Sequence, residues 1–330
     1  MRYPEPMARA LALASLTLLA ACGGEAPAGE ALGSFTSSVE IPFGTTMTIA
    51  PGARLTAGPG ATLTVRGVLV VRSGTGTHAR ISAASGGTWG GIVVASGGAL
   101  DASGLDLDDA ETAVSVGVGA ASALYAGGTI ARAEHPFMVA RGAALEVRDA
   151  TVLEAKSSSG IAGAFQASRL DYQKSGAAGG LIMNDATATF DVADSTFRGT
   201  EDAGGDFIIS YGAQLVRVAY STITGAHCAF HFNEVARFEI DHVTSGDVDP
   251  KGPGNQVAWG AMLYGSGAGP NVIEGSNFLG SDLNLEQLGT NGPLTITNTF
   301  TTGKNEPPDA SWTWVAADIA AAPIADAKPR

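Results

Sequence analysis

The sequence predicts an all-β fold, a right-handed parallel β-helix of about ten coils. Three observations predict it: apolar triplets recur at a spacing near 22 residues, a second series of strand patterns keeps step with them, and glycine is frequent. The chain has 45 glycines in 330 residues, about twice the share of roughly 7% usual in proteins. Three short strands per period leave no room for crossover helices, so the chain must wind, with each coil stacked about 4.8 Å above the last.

The apolar triplets mark one strand in each coil. Their centres lie 22, 23, 44, 26, 23, 31 and 22 residues apart, and the 44 is two periods with a degenerate member near residues 161–165. The triplets are Ile92-Val93-Val94, Val114-Ser115-Val116, Phe137-Met138-Val139, Leu181-Ile182-Met183, Phe207-Ile208-Ile209, Phe230-His231-Phe232, Ala261-Met262-Leu263 and Leu283-Asn284-Leu285. The competing fold, an antiparallel sandwich, would predict hairpin turns and shorter, irregular spacing.

The second series alternates apolar and polar residues, as half-buried strands do. Its members are Leu145-Glu146-Val147, Phe190-Asp191-Val192, Val216-Arg217-Val218, Phe238-Glu239-Ile240 and Leu294-Thr295-Ile296. Stacking of the coils places the middle residues in one outward column, with Arg217 between Asp191 and Glu239. We therefore expect an ion-paired ladder there, either as a solvent face or as a groove for a charged glycan.

Residues 1–21 are predicted to form an export signal. Arg2 and Arg9 supply a basic start, residues 10–19 form an apolar run too short to span a bilayer, and Leu19-Ala20-Ala21 precedes Cys22. This segment resembles the lipobox of bacterial lipoproteins. The resemblance implies cleavage before Cys22, lipidation of that cysteine and a membrane anchor. The alternative is an ordinary secretory peptide with an incidental cysteine.

The residues that follow Cys22 bear on the compartment and the domain boundaries. No aspartate follows the cysteine, so the resemblance implies an outer-membrane lipoprotein on the periplasmic or the external face. Residues 22–34 are poor in bulky apolar side chains and are predicted to be a flexible tether. The β-helix is predicted over residues 35–303.

Residues 304–330 leave the repeat and contain Trp312 and Trp314. Because the ends of a β-helix expose strand edges, we expect these tryptophans to pack on the last coil as a C-terminal cap. The competing interpretation is an aromatic contact with a ligand.

The net charge of −13, with no cluster among the 19 basic residues, argues against a nucleic-acid partner. Only 15% of residues are charged, so few could converge in a catalytic site. Cys228, the second of two cysteines, is interpreted as a small buried core residue.

The N-terminal part of the repeat carries a family resemblance. Thr-Met-Thr-Ile-Ala-Pro-Gly-Ala at 46–53, Ala-Thr-Leu-Thr-Val-Arg-Gly at 61–67 and Thr-Trp-Gly-Gly-Ile at 88–92 resemble the opening of pectin-lyase-like β-helices. Many members of that family cut acidic polysaccharides. The polygalacturonase motifs Asn-Thr-Asp and Arg-x-Lys do not occur in the sequence, and Gly225-Ala226-His227 departs from Gly-His-Gly. These departures put hydrolase activity in doubt.

The densest polar stretch is the remaining candidate for chemistry. Its candidate catalytic residues are His227, His231, Asp241, His242, Asp247 and Asp249. His227 and His231 are four apart, which is about 13 Å along an extended strand, and no zinc motif such as His-Glu-x-x-His is present. Solvated surface residues are the simplest interpretation, with His231 pointing outward while Phe230 and Phe232 enter the core.

Two functions follow from these patterns. The first is a membrane-anchored β-helix with a non-catalytic binding or structural role, whose partner is a polysaccharide or another envelope protein. The alternative is a polysaccharide lyase or glycoside hydrolase acting on the coils around residues 201–251, where the spacing of 31 residues between triplets indicates long turns. No cofactor or metal is expected, and calcium enters only under the lyase alternative.

Overall fold

A computed structural model gives the fold of this chain. It describes residues 30–73, 76–84, 86–175, 180–199, 205–246, 257–267, 269–287, 292–301, 304–305 and 324–330. These residues form a right-handed parallel β-helix, which confirms the predicted fold. They contain 35 strands and no helix, so none of them forms a helix that could span a membrane.

The strands are short and are numbered along the chain. The first third comprises β1 (Glu30–Ala31), β2 (Val39–Ile41), β3 (Thr46–Ile49), β4 (Arg54–Ala57), β5 (Thr62–Val65), β6 (Val68–Arg72), β7 (Ala79–Ala83), β8 (Gly91–Val94), β9 (Ala99–Ser103), β10 (Leu105–Asp108), β11 (Thr112–Val116) and β12 (Ser122–Ala126). The middle third comprises β13 (Thr129–Ala131), β14 (His135–Val139), β15 (Ala144–Arg148), β16 (Thr151–Ala155), β17 (Ser159–Ile161), β18 (Ala164–Ser168), β19 (Asp171–Lys174), β20 (Leu181–Met183), β21 (Thr189–Ala193), β22 (Thr196–Arg198), β23 (Ile208–Ala213) and β24 (Leu215–Ala219). The last third comprises β25 (Thr222–Thr224), β26 (Ala226–Val235), β27 (Phe238–Asp241), β28 (Thr244–Ser245), β29 (Val257–Leu263), β30 (Asn271–Glu274), β31 (Asn277–Phe278), β32 (Gly280–Gln287), β33 (Leu294–Thr297), β34 (Phe300–Thr301) and β35 (Lys304–Asn305).

Every third strand belongs to the same sheet. The first sheet has 12 strands and runs from β1 and β3 to β33, the second has 11 and runs from β4 to β34, and the third has 12 and runs from β2 to β35. Neighbouring strands within a sheet are parallel and come from successive coils, as in the pairing of Asp191 with Arg217. The predicted triplets lie in the third sheet and the alternating series in the first.

The core fills the prism between the three sheets. The inward side chains of each strand are almost fully buried, and aromatic rings from successive coils stack on one another. Phe165 and Phe190 are stacked with ring centroids 5.5 Å apart, and Phe137 packs against Phe165 at the same distance with its ring tilted by 53°. Stacking of this kind buries in a continuous column what a single coil could not bury alone.

The bend between the first and second sheets is made by one residue in the left-handed region. In nine successive coils these residues are Gly104, Gly127, Asp149, Arg169, Asp194, Tyr220, His242, Gly275 and Asn298. The sequence predicts glycine or polar turns between the strands, and three of these nine residues are glycine. Asp and Asn tolerate this conformation because their short polar side chains hydrogen-bond locally, whereas Arg, Tyr and His each cost about 1–2 kcal/mol there.

Two boundaries differ from those predicted. β1 begins at Glu30, within the predicted tether, and Ala31 pairs with Thr48 at the edge of the first sheet. An added strand satisfies backbone groups that an open sheet edge would leave unpaired. At the other end, Lys304–Asn305 extends the third sheet beyond residue 303. Residues 1–29, including Cys22, lie outside the described residues.

Residues 324–330, called the strap below, lie along the side of the β-helix at the bend between the first and second sheets. Asn277 accepts a hydrogen bond from the backbone of Ile324 at 2.7 Å, and the Thr244 hydroxyl donates to Ala327 at 2.5 Å. Arg330 Nε donates to Asp194 Oδ1 at 3.2 Å. The strap therefore crosses four coils in the direction of the N-terminus. Trp312 and Trp314, the predicted cap, lie outside the described residues.

The aromatic stack generates a stability prediction. Replacing Phe165, which is 0% exposed, with alanine leaves a cavity between two rings and should cost about 3–5 kcal/mol of unfolding free energy. Phe43 is 81% exposed, and Phe43→Ala should change stability by less than about 0.5 kcal/mol. Denaturant midpoints of the two variants measure the difference, and equal midpoints would contradict the proposed packing.

Candidate functional site

The first sheet carries a column of polar side chains on its outer face. In five successive coils the aligned residues are Glu146, Gln166, Asp191, Arg217 and Glu239. Arg217 lies between the two carboxylates in the predicted order, with Nη1 3.7 Å from Asp191 Oδ2 and Nε 3.5 Å from Glu239 Oε2. Arg148 contacts Glu146 and Arg237 contacts Glu239 from neighbouring positions. We call this column the first-sheet wall.

The first-sheet wall has a shallow depression of about 250 Å³, to which Glu146, Gln166, Asp191 and Arg217 contribute. Two larger depressions lie elsewhere. One of about 550 Å³ is lined by residues at the ends of β23, β26 and β29 and the turns that follow, such as Gly212 and Gly265, and one of about 600 Å³ lies beside Arg54 and His78 on the second sheet. Of these three depressions, only the one on the first-sheet wall is lined by polar side chains of four successive coils.

A second group of polar residues lies at the third sheet, around Asp206. His227 Nδ1 is 3.3 Å from Asp206 Oδ1, and His231 Nδ1 hydrogen-bonds the other oxygen of the same carboxylate. The two histidines are about 13 Å apart along a straight strand, yet one ring nitrogen of each lies within hydrogen-bonding distance of the same carboxylate. Cys228, Ala229 and Phe230 are buried in succession, so burial does not alternate strictly along β26. We call Asp206, His227, Cys228 and His231 the Asp206 cluster.

Cys228 is 0% exposed, as predicted, but it is not surrounded by apolar atoms alone. Its Sγ lies 3.0 Å from Met262 Sδ of the next coil and 3.4 Å from His227 Nδ1. Its backbone N–H donates to Asp206 Oδ1 at 3.1 Å. The thiol therefore belongs to the Asp206 cluster.

The charge of Asp206 is stabilised by its neighbours. Burial raises the pKa of its carboxyl group, but hydrogen bonds from His231, Cys228 and His227 outweigh burial and hold that pKa below its ordinary value. The carboxylate is therefore ionised at neutral pH and available to a cation.

Lys174 holds the backbone of this region. Its ammonium donates to Gly205 O at 2.6 Å and lies 4.9 Å from the ring centroid of Phe207. Burial lowers the pKa of Lys174 from 10.5 to about 8, although the charge of Asp206 opposes that shift. Lys174 thus positions the turn that carries Asp206.

The predicted catalytic residues do not converge. His227 and His231 lie on the third sheet, whereas His242 occupies the bend between the first and second sheets, 2.5 Å from Asp241 Oδ1 and stacked on Tyr220. Asp247 and Asp249 lie outside the described residues. The two described pairs are thus on different faces of the prism.

Comparison with protein-family models, with curated proteins and with solved structures finds no match to this chain.

Sequence reasoning missed Asp206 as a member of the site. Asp206 is 25 residues from His231, and Lys174 is 31 residues from Gly205, so both contacts run between coils. A coil-by-coil alignment places Asp206, which precedes the triplet Phe207-Ile208-Ile209, near the start of β26. That alignment is the signal that could have found it.

Lys174 generates a pH prediction. Between pH 8 and the unfolded pKa of 10.5, the unfolded chain binds a proton that the folded chain has lost. Folding stability should therefore rise with pH in this window, by up to about 1 kcal/mol per pH unit. Lys174→Met should remove that rise, and Lys156→Met, at an exposed position, should leave it. Urea unfolding at several pH values measures it, and an unchanged slope in Lys174→Met contradicts the assignment.

Proposed function

We propose that this chain is an envelope lipoprotein whose first-sheet wall binds a polysaccharide without cleaving it. The observation that carries this proposal is the line of polar side chains on five successive coils, with its shallow depression. Parallel stacking repeats these groups about every 4.8 Å, a spacing comparable to one sugar ring in an extended polymer. A repeating ligand can then make the same contact on each coil.

The chemistry of the first-sheet wall suits a neutral polymer. Its three carboxylates are balanced by Arg148, Arg217 and Arg237, so no strong field of one sign develops. Gln166 is exposed and offers both a donor and an acceptor. Hydroxyl groups can exchange hydrogen bonds with all of these side chains, whereas a polyuronate would meet unfavourable carboxylates.

Cleavage of a polysaccharide is the alternative function. Its support is the convergence of His227 and His231 on Asp206, near the predicted long turns. The pair Asp241 and His242 lies at the bend between the first and second sheets and does not contribute to the same cleft. The polar side chains on five successive coils therefore support non-catalytic binding more broadly than the Asp206 contacts support cleavage. The binding experiment must also test for cleavage of the polysaccharide.

Glycan binding is tested with the full chain and a panel of neutral and acidic polysaccharides. Arg217→Ala and Gln166→Ala should each weaken binding of a neutral polymer by about tenfold, the loss of roughly 1.4 kcal/mol in hydrogen bonding. Arg198→Ala is the matched control, because Arg198 lies on the second sheet and its side chain is 46% exposed against 44% for Arg217. Affinity electrophoresis measures the retardation.

Three results would count against this proposal. Equal binding by the Arg217→Ala and Arg198→Ala variants would place the ligand elsewhere. Release of reducing ends or of unsaturated products, abolished by His231→Ala, would establish the cleavage alternative. If the chain retains an envelope protein and no glycan, the ligand is a protein and not a polysaccharide.

The anchor is tested separately. Cys22→Ser removes the proposed lipidation site, and because several acyl chains are needed for stable anchoring, the variant should leave the membrane fraction. Fractionation after export, with Cys228→Ser as the control that stays in the membrane, measures the change. Continued membrane retention of Cys22→Ser would rule out lipidation as the anchor.

A further inference from the structure

The Asp206 cluster gathers one carboxylate, two imidazoles and one thiol at the third sheet, away from the first-sheet wall. Asp206 comes from one coil and His227, Cys228 and His231 from the next, and Met262 from the following coil adds a thioether. We propose that Asp206, His227, Cys228 and His231 bind a zinc ion. This inference does not depend on glycan binding.

The distances between the candidate ligand atoms fit one tetrahedral ion. With zinc–oxygen and zinc–nitrogen bonds of about 2.0 Å and a zinc–sulfur bond of about 2.3 Å, tetrahedral angles separate oxygen from nitrogen by about 3.3 Å and nitrogen from sulfur by about 3.5 Å. Asp206 Oδ1 and His227 Nδ1 lie 3.3 Å apart, and His227 Nδ1 and Cys228 Sγ lie 3.4 Å apart. Both distances at His227 Nδ1 thus match those that a shared ion requires.

His231 supplies the fourth ligand. Ligand atoms of Asp206, Cys228 and His231 all lie within 4.8 Å of one another. The His231 ring packs against Tyr264 at 5.1 Å between centroids, which limits the range of its rotation. Zinc binding requires His231 to turn from the Asp206 carboxylate towards the ion.

Charge and access also fit a divalent cation. The Asp206 carboxylate and a Cys228 thiolate together neutralise a charge of +2, and zinc binding displaces the thiol proton. The His227 side chain is 48% exposed and the Asp206 side chain 16%, so an ion can reach the cluster from solvent. His227 lies on the exposed side of the cluster.

The mixture of ligand atoms selects the type of metal. Calcium and magnesium take oxygen ligands, and this cluster offers only one carboxylate. Cuprous ions favour sulfur ligands, whereas a set of one thiolate, two imidazoles and one carboxylate suits zinc. Met262 Sδ, 3.0 Å from the thiol, makes the cuprous ion the competitor that the experiment must include.

The test uses the full chain, stripped with a chelator and kept in reducing buffer, and titrated with ZnCl₂, CoCl₂ or cuprous ion. We expect one zinc per chain, a higher melting temperature with zinc, and a thiolate-to-cobalt charge-transfer band with Co(II). Asp206→Asn, His231→Gln and Cys228→Ser should each weaken zinc binding by roughly 100-fold or more, and Cys228→Ser should abolish the band.

The control variants are His78→Gln and Cys22→Ser. His78 pairs with Asp106 at 3.0 Å on the second sheet, which reproduces a histidine–carboxylate contact in another place, so His78→Gln should bind zinc as the native chain does. Cys22→Ser should keep the cobalt band. For variants that fold poorly, protection of Cys228 from alkylation by zinc in the native chain gives the answer without any substitution.

Three results would overturn the proposal. They are the absence of stoichiometric zinc binding together with unprotected Cys228, zinc binding that Cys228→Ser leaves unchanged, and binding of cuprous ion without binding of zinc or cobalt. Zinc-dependent protection of Cys228 that requires Asp206 and His231 would support it.

Discussion

Parallel stacking of one coil on the next is the constraint on which every other feature of this molecule depends. Because each strand hydrogen-bonds to the strand one coil away, residues more than 20 positions apart become neighbours at strand spacing. This fixes the aromatic stack through Phe137, Phe165 and Phe190 in the interior. On the outside it fixes the order of Asp191, Arg217 and Glu239. The same strand register therefore determines both the packing of the core and the order of side chains on the first-sheet wall.

That register also explains how far the sequence could predict the structure. Alternation of apolar and polar residues indicates which side chains enter the prism. The triplets and the position of Arg217 could therefore be predicted from the spacing of the repeat. The backbone conformation of the bends could not be predicted in this way, because Arg169 and Tyr220 adopt left-handed backbone angles that their residue types disfavour. The Asp206 cluster was hidden for a related reason. Asp206 and His231 are 25 residues apart and meet between coils, so their contact leaves no pattern along a single strand.

The two proposed sites use the same architecture in different ways. On the first-sheet wall, the side chains of one column lie side by side and form a repeated surface. The position of one side chain does not depend on the next. In the Asp206 cluster, a turn from one coil brings Asp206 onto the irregular strand of the following coil, and side chains converge on one point. A repeated surface suits an extended polymer, and a convergent one suits a single ion.

The strap has a consequence for the order of folding. Coils in a solenoid can form one after another as the chain emerges, and each contacts only its neighbours. Residues 324–330 instead contact Asp194, Tyr220, Thr244 and Asn277, which belong to four different coils. These contacts can form only after residues 324–330 have been made and delivered. The strap therefore closes after the four coils that it crosses, and these coils should then open together rather than singly.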